Sequence, residues 1–157
     1  RLAGRCDDLD AMLGECDAVS LHCVLNASTR HLIGAGQLAR LKPSAWLVNV
    51  SRGELVDELA LLDALRAGRL AGVALDVYGR EPLAREGHPL SALYALDNVL
   101  LWPHLTFYTR EAMQRLEADT LARCFEALRG EPLTVHSNDP RLRAQASGVR
   151  FVDADEP

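Results

Sequence analysis

The segment Trp46-Leu-Val-Asn-Val-Ser-Arg-Gly-Glu-Leu-Val-Asp57 constrains the fold more than any other part of the chain. Its opening, Trp46 to Val50, is a short apolar run of the kind found in strands buried on both faces. The run stops at Ser51-Arg52-Gly53. Asp57 then starts an amphipathic segment, with Leu59, Leu62 and Leu65 at helical spacing and Gly68 just past its end. Strand, polar corner, helix is the repeating unit of a parallel α/β sheet. Such sheets bind ligands at the carboxyl ends of their strands, where Arg52 stands. Position alone fits a surface cation near a helix start equally well.

The same alternation runs through the chain. Asp7-Asp8 caps a short helix whose apolar positions are Leu9, Met12 and Leu13. Residues 17–24 (DAVSLHCV) read as a strand, followed by the polar corner Asn26-Ala-Ser-Thr29. A helical turn or two over 35–41 ends at Lys42-Pro43, where proline forbids continuation. After the central strand and helix, 70–77 (LAGVALDV) is a further strand, in which Gly72 permits close packing. A turn-rich loop over 78–91 leads to a strand at 98–102. A long helix over 110–129 follows, with apolar residues at 112, 113, 116, 121, 124, 125 and 128. Thr109 is its N-cap, and Gly130 with Pro132 its stop. The polar stretch 137–157 is expected to be a mobile tail, leaving 1–136, long helix included, as one domain.

Composition excludes several classes. A chain of 157 residues fits one domain, with 48% apolar and 25% charged residues, as in globular proteins. No apolar run approaches the ~20 residues of a membrane span, and no secretory signal opens the chain. A net charge of −5 with no basic stripe argues against a nucleic-acid partner. Cys6, Cys16, Cys23 and Cys124 form no C-x-x-C pair and have no histidine at finger spacing. No metal site is expected, and the cysteines read as reduced thiols of a cytoplasmic protein. The chain opens at Arg1 inside an α/β repeat, so a fragment is expected.

Gly34-Ala-Gly36-Gln-Leu-Ala39 matches a dinucleotide fingerprint literally, but in the wrong context. Only Leu32-Ile33 precede it, and the helix after it is cut short by Pro43.

The chemistry lies at the strand ends. The strand at 46–50 delivers Ser51 and Arg52, that at 70–77 delivers Asp76 with Glu81 beyond it, and that at 98–102 delivers Pro103-His104. Parallel strands joined by helices put their carboxyl ends on one edge, so Arg52, Asp76, Glu81 and His104 are predicted to converge. Arginine binds a carboxylate bidentately, histidine moves protons near neutrality, and a glutamate holds the imidazole ring. Singly, each has a plainer reading as a cap, a turn residue or a loop histidine. His22, His31, His88 and His136 share no such context and read as structural or surface.

Four ordered pieces, SLHCVLNASTRHLI, LKPSAWLVNVSRGELVDE, AGVALDVYGREP and NVLLWPHLTFYT, give the chain a wider likeness. Together they resemble the nucleotide-binding domain of the D-isomer-specific 2-hydroxyacid dehydrogenases. VNVSRG, DVY and the pair Phe107-Tyr108 are most similar to the D-lactate dehydrogenase branch. The resemblance implies that Arg52 grips the substrate carboxylate, that His104 is the acid/base and Glu81 its partner, and that Asp76 orients the nicotinamide carboxamide. It also implies that Cys23, Val24, Thr29, Val50, Ser51, Arg52, Asp76 and His104 line the cofactor. Val24 departs from the family's usual proline. The glycine-rich turn and the acid that selects between cofactors would lie upstream of Arg1.

The expectation is therefore an α/β fold, the second half of a Rossmann-like doubly wound parallel sheet with a long C-terminal helix. The domain at 1–136 would be a partial NAD-binding domain. The activity implied is hydride transfer between a nicotinamide cofactor, NAD with NADP left open, and a 2-oxo acid or D-2-hydroxy acid, in a homodimer. The competing readings are an NAD(H)-sensing binding protein of the corepressor type and an inactive truncated chain.

Overall fold

A computed structural model describes residues 4–137 and 148–152. It divides into two compact units, Arg1–Thr106 and Phe107–Pro157. By compactness the long helix falls in the second unit, whereas the sequence pattern groups it with 1–136.

In the first unit, strands β1 (Ala18–Leu21), β2 (Trp46–Asn49), β3 (Gly72–Leu75) and β4 (Val99–Leu101) form one parallel sheet in the order β1-β2-β3-β4. Helices α1 (Leu9–Glu15), α2 (Ala35–Leu38) and α3 (Glu58–Arg66) alternate with them. Each strand is shorter than its apolar run predicts, because the ends bend into loops that hold the polar corners. Sequential order in one direction, with right-handed crossovers, places the connecting helices on one face. That is the winding of one half of a doubly wound sheet.

Alternation along the strands follows from this. Val19, Leu21, Leu47, Val73 and Leu75 face the helices and join Leu13, Leu38, Leu61, Leu62 and Leu65 in one core. The opposite face is open: Trp46 is 39% exposed and Leu100 66%. The central strand is thus buried on one face, not on both as its apolar run suggests, since an apolar run does not specify what covers each side. Gly72 packs as expected. A Cβ there would meet the Trp46 ring at 2.5 Å and Asn98 O at 2.6 Å.

Helix α3 begins where predicted, with the Asp57 carboxylate accepting from Ala60 N at 3.1 Å. It ends before Gly68, whose φ of +63° suits glycine. Its buried face is Leu61, Leu62, Ala64 and Leu65, whereas Leu59 is 60% exposed. Steps of three residues slip back by about 60° each around a 3.6-residue helix, so Leu59 and Leu65 cannot share a face.

In the second unit, α4 (Arg110–Leu128) is capped by Thr109, which accepts from Ala112 N at 3.1 Å. Strands β5 (Leu133–His136) and β6 (Val149–Val152) pair in parallel. Glu126 on α4 accepts from Thr134 N at 2.9 Å and Thr134 Oγ1 at 2.8 Å, which pins β5 to the helix. β6 falls within the stretch predicted to be a mobile tail. A four-residue strand has too little periodicity to register alone, and its partner lies across an intervening segment. The rest of that stretch, 138–147 and 153–157, lies outside the described residues.

Candidate active site

Parallel strands bring their carboxyl ends to one edge, and side chains tie the corners there to one another. At the end of β2, buried Asn49 shapes the turn: its Nδ2 donates to Arg52 O at 2.8 Å, and its Oδ1 accepts from Ser51 N at 3.1 Å. Ser51 Oγ donates to Cys23 O at 2.6 Å, joining this corner to the one after β1. There Thr29 Oγ1 donates to Val24 O at 2.7 Å and accepts from Asn26 N at 2.8 Å, closing a compact turn with Val24 exposed.

The corners after β2 and β3 meet backbone to backbone. A Cβ on Gly53 would lie 2.0 Å from Tyr78 C and 2.1 Å from Gly79 N, so only glycine permits the approach. Glu58 adds a second tie by accepting from Gly79 N at 2.8 Å. Burial pushes the Glu58 carboxyl above its ordinary value despite that bond. Arg52 is exposed, and its Nη1 donates to Ser51 O at 2.7 Å. Among the described contacts its guanidinium makes no hydrogen bond to Asp76, Glu81 or His104; the packing of Gly53 is what brings its corner to theirs.

The other predicted residues do assemble. His104 Nδ1 lies 2.9 Å from Glu81 Oε2, and Glu81 Oε1 accepts from Tyr78 N at 3.0 Å. Burial pushes the Glu81 carboxyl up, but the His104 ring, the Tyr78 N–H and the charge of a protonated His104 outweigh it, and the net shift is downward. Glu81 is therefore an anion at neutral pH, and it fixes Nδ1 as the donor. Nε2 is left as the nitrogen that can exchange a proton with a ligand. His88, within the same loop, accepts from Leu90 N at 3.0 Å through Nδ1, which leaves Nε2 to donate to Arg80 O at 2.9 Å. It is structural, as its context predicts.

Asp76 is only 3% exposed. Its Oδ1 accepts from Leu105 N at 2.9 Å, and its Oδ2 from Thr106 N at 3.2 Å and Thr106 Oγ1 at 2.5 Å. Burial pushes its pKa up, but these bonds and the nearby His104 charge prevail and lower it. The turn carrying His104 is thus strapped to the end of β3.

Two hollows flank the group. One of about 550 Å³ is lined by Glu81, His104, Tyr78, Leu83, Tyr94 and Trp102. Another of about 310 Å³ lies over the strand ends, between Val50, Ala74, Asp76, Trp102 and Thr106.

Strand-end reasoning did not single out Asn49, Glu58, Tyr78 or Thr106. Asn49 carried a signal, being a polar residue inside an apolar run, where burial obliges it to find partners. The others carried none, because each works through a partner on a corner distant in sequence: Gly79 N for Glu58, Trp102 O for Tyr78 and the Asp76 carboxylate for Thr106.

Residues 1–106 match the family model described as D-isomer specific 2-hydroxyacid dehydrogenase, NAD binding domain. A glyoxylate reductase of Thermofilum pendens is 43% identical over 124 residues, which are 79% of this chain and 35% of that protein. A D-lactate dehydrogenase of Treponema pallidum is 36% identical, over 79% of this chain and 40% of that one. Among solved structures, the D-lactate dehydrogenase with NAD+ from Lactobacillus jensenii superposes with a TM-score of 0.73 at 32% identity, over 80% of this chain and 41% of that one. The chain spans well under half the length of these relatives.

Proposed function

The chain belongs to the D-isomer specific 2-hydroxyacid dehydrogenase family through its NAD-binding domain, and from that premise we propose that it serves an oxidoreductase interconverting a small 2-oxo acid and its D-2-hydroxy acid. The observation that carries this is the 2.9 Å His104–Glu81 pair at the carboxyl edge of a parallel sheet.

In reduction, protonated His104 gives a proton from Nε2 to the carbonyl oxygen; in oxidation it takes the proton back. Glu81, held ionised, keeps Nδ1–H occupied and stabilises the imidazolium between those steps. Arg52 reaches from the neighbouring corner to the substrate carboxylate, where its planar fork forms two parallel hydrogen bonds. NAD, when bound, supplies or accepts the hydride. The hollow over Val50, Ala74, Asp76 and Trp102 has apolar walls and one carboxylate, which suits a planar nicotinamide. Cys23, Val24, Thr29 and Ser51 continue the same edge toward the rest of the dinucleotide, and Arg52, Asp76 and His104 border it. The reading extends to a homodimer, as the resemblance implies, and to the cytoplasm, which fits four unpaired cysteines. No helix among the described residues is long and apolar enough to cross a membrane.

The test is steady-state kinetics of the full-length protein with NADH and a panel of small 2-oxo acids, comparing wild type with Arg52→Lys. Lysine keeps the charge but cannot make both parallel bonds. Losing one charge-assisted bond of about 1.5–3 kcal/mol lowers kcat/KM roughly ten- to hundredfold. Thermal melting should stay unchanged. Equal kinetics in the two proteins, or no turnover of any 2-oxo acid by the wild type, refutes the assignment.

A further inference from the structure

We infer that Tyr78 is a positioning residue for the His104–Glu81 pair, setting the proton donor's place through the backbone on either side of it. The inference rests on the hydride-transfer reading of that pair. The ladder between β3 and β4 ends with Trp102 N donating to Leu75 O at 2.8 Å. The next residue, Pro103, has no N–H, so the sheet cannot carry its register forward to His104. His104 itself sits at φ +58°, a conformation non-glycine residues rarely adopt unless their surroundings hold them there.

The surroundings that hold it come from one corner. The Tyr78 hydroxyl lies 2.9 Å from Trp102 O and 3.1 Å from Leu75 O, sharing its single proton between the last two carbonyls of the ladder. This is the tie on the N-terminal side of His104; Asp76 supplies the one on the C-terminal side through Leu105 and Thr106. The amide of Tyr78 meanwhile donates to Glu81 Oε1 at 3.0 Å. One residue therefore fixes both members of the pair, its hydroxyl through the strand that ends before His104 and its amide through the Glu81 carboxylate. The ring is 6% exposed and belongs to the core, so the hydroxyl has little freedom to leave these carbonyls.

Tyr78→Phe in the full-length protein keeps the ring and the amide and removes only the strand-end tie. Because the substitution leaves the ring and the Arg52 corner in place, kcat should fall by about tenfold or more while KM for the 2-oxo acid stays within about twofold. The hydrogen-bonded Nδ1 proton of His104, followed by selective nitrogen-15 labelling, should broaden or vanish, with the cooperative melt retained. An unchanged kcat together with an unchanged Nδ1 proton overturns the inference. Should the variant not fold, solvent exchange of the Tyr78 hydroxyl proton in the wild type, followed by proton magnetic resonance, decides. A hydroxyl proton protected from exchange with water supports the buried tie to Trp102 O and Leu75 O, and one that exchanges freely refutes it. A wild type that reduces no 2-oxo acid defeats the catalytic reading alone, since the imidazole proton and the exchange of the Tyr78 hydroxyl still judge Tyr78.

Discussion

Asp76 shows how a residue visible in sequence can do something its position does not announce. Its place at a strand end suggested a ligand contact, and its neighbours there show three donors from the loop after β4. Replacement by Asn leaves one donor facing an amide NH2, at a cost of about 1–3 kcal/mol. The pH dependence follows from the lowered pKa. A carboxyl whose folded pKa lies below its ordinary 3.8 contributes stability above that value and loses it as pH falls through the folded pKa. Melting curves of wild type and Asp76→Asn should therefore be well separated at neutral pH and converge under acid conditions below 3.8. A constant separation across the range would remove the ionised carboxylate as the source.

At the scale of elements, the strand–corner–helix unit at 46–66 couples the site to the core. Asp57 caps α3, α3 buries Leu61, Leu62 and Leu65 against the sheet, and Glu58 in its first turn holds Gly79 of the next corner. Asp57→Ala should lower stability by about 1 kcal/mol, the usual cost of a lost N-cap. A denaturant melt measures it through a lower midpoint at constant slope. No change would mean that solvent serves the orphan Ala60 N–H equally well. Caps and stops such as Asp57, Gly68 and Thr109 are legible because their rules are local. The second-unit strands were not, since each needs the other to exist.

For the molecule as a whole, four parallel strands in sequential order form a sheet wound in one direction with one face open. A dinucleotide's pyrophosphate is normally held by a glycine-rich turn that opens a helix. Gly34 to Ala39 is not such a turn: α2 is four residues long, and a Cβ at Gly36 would meet nothing within 4 Å. The 157-residue chain by itself should accordingly bind NADH weakly or not at all. Fluorescence titration of NADH against the isolated chain checks this, and micromolar affinity would show that the strand ends alone hold the cofactor.

The amino-acid order by itself determined the α/β alternation, the helix caps, the close approach at Gly72 and the candidate set Arg52, Asp76, Glu81 and His104. Each rests on spacing within one element or on where a strand ends, both of which are local. Tertiary structure alone decided that Glu81 and His104 share a hydrogen bond, that Asp76 turns to the loop after β4, and that Tyr78 ties the end of β3 to that of β4. It also decided that only one face of the central strand is covered. The hydrogen bonds depend on which side chains lie within about 3 Å of a partner 20 to 30 residues away along the chain, and no local period encodes that.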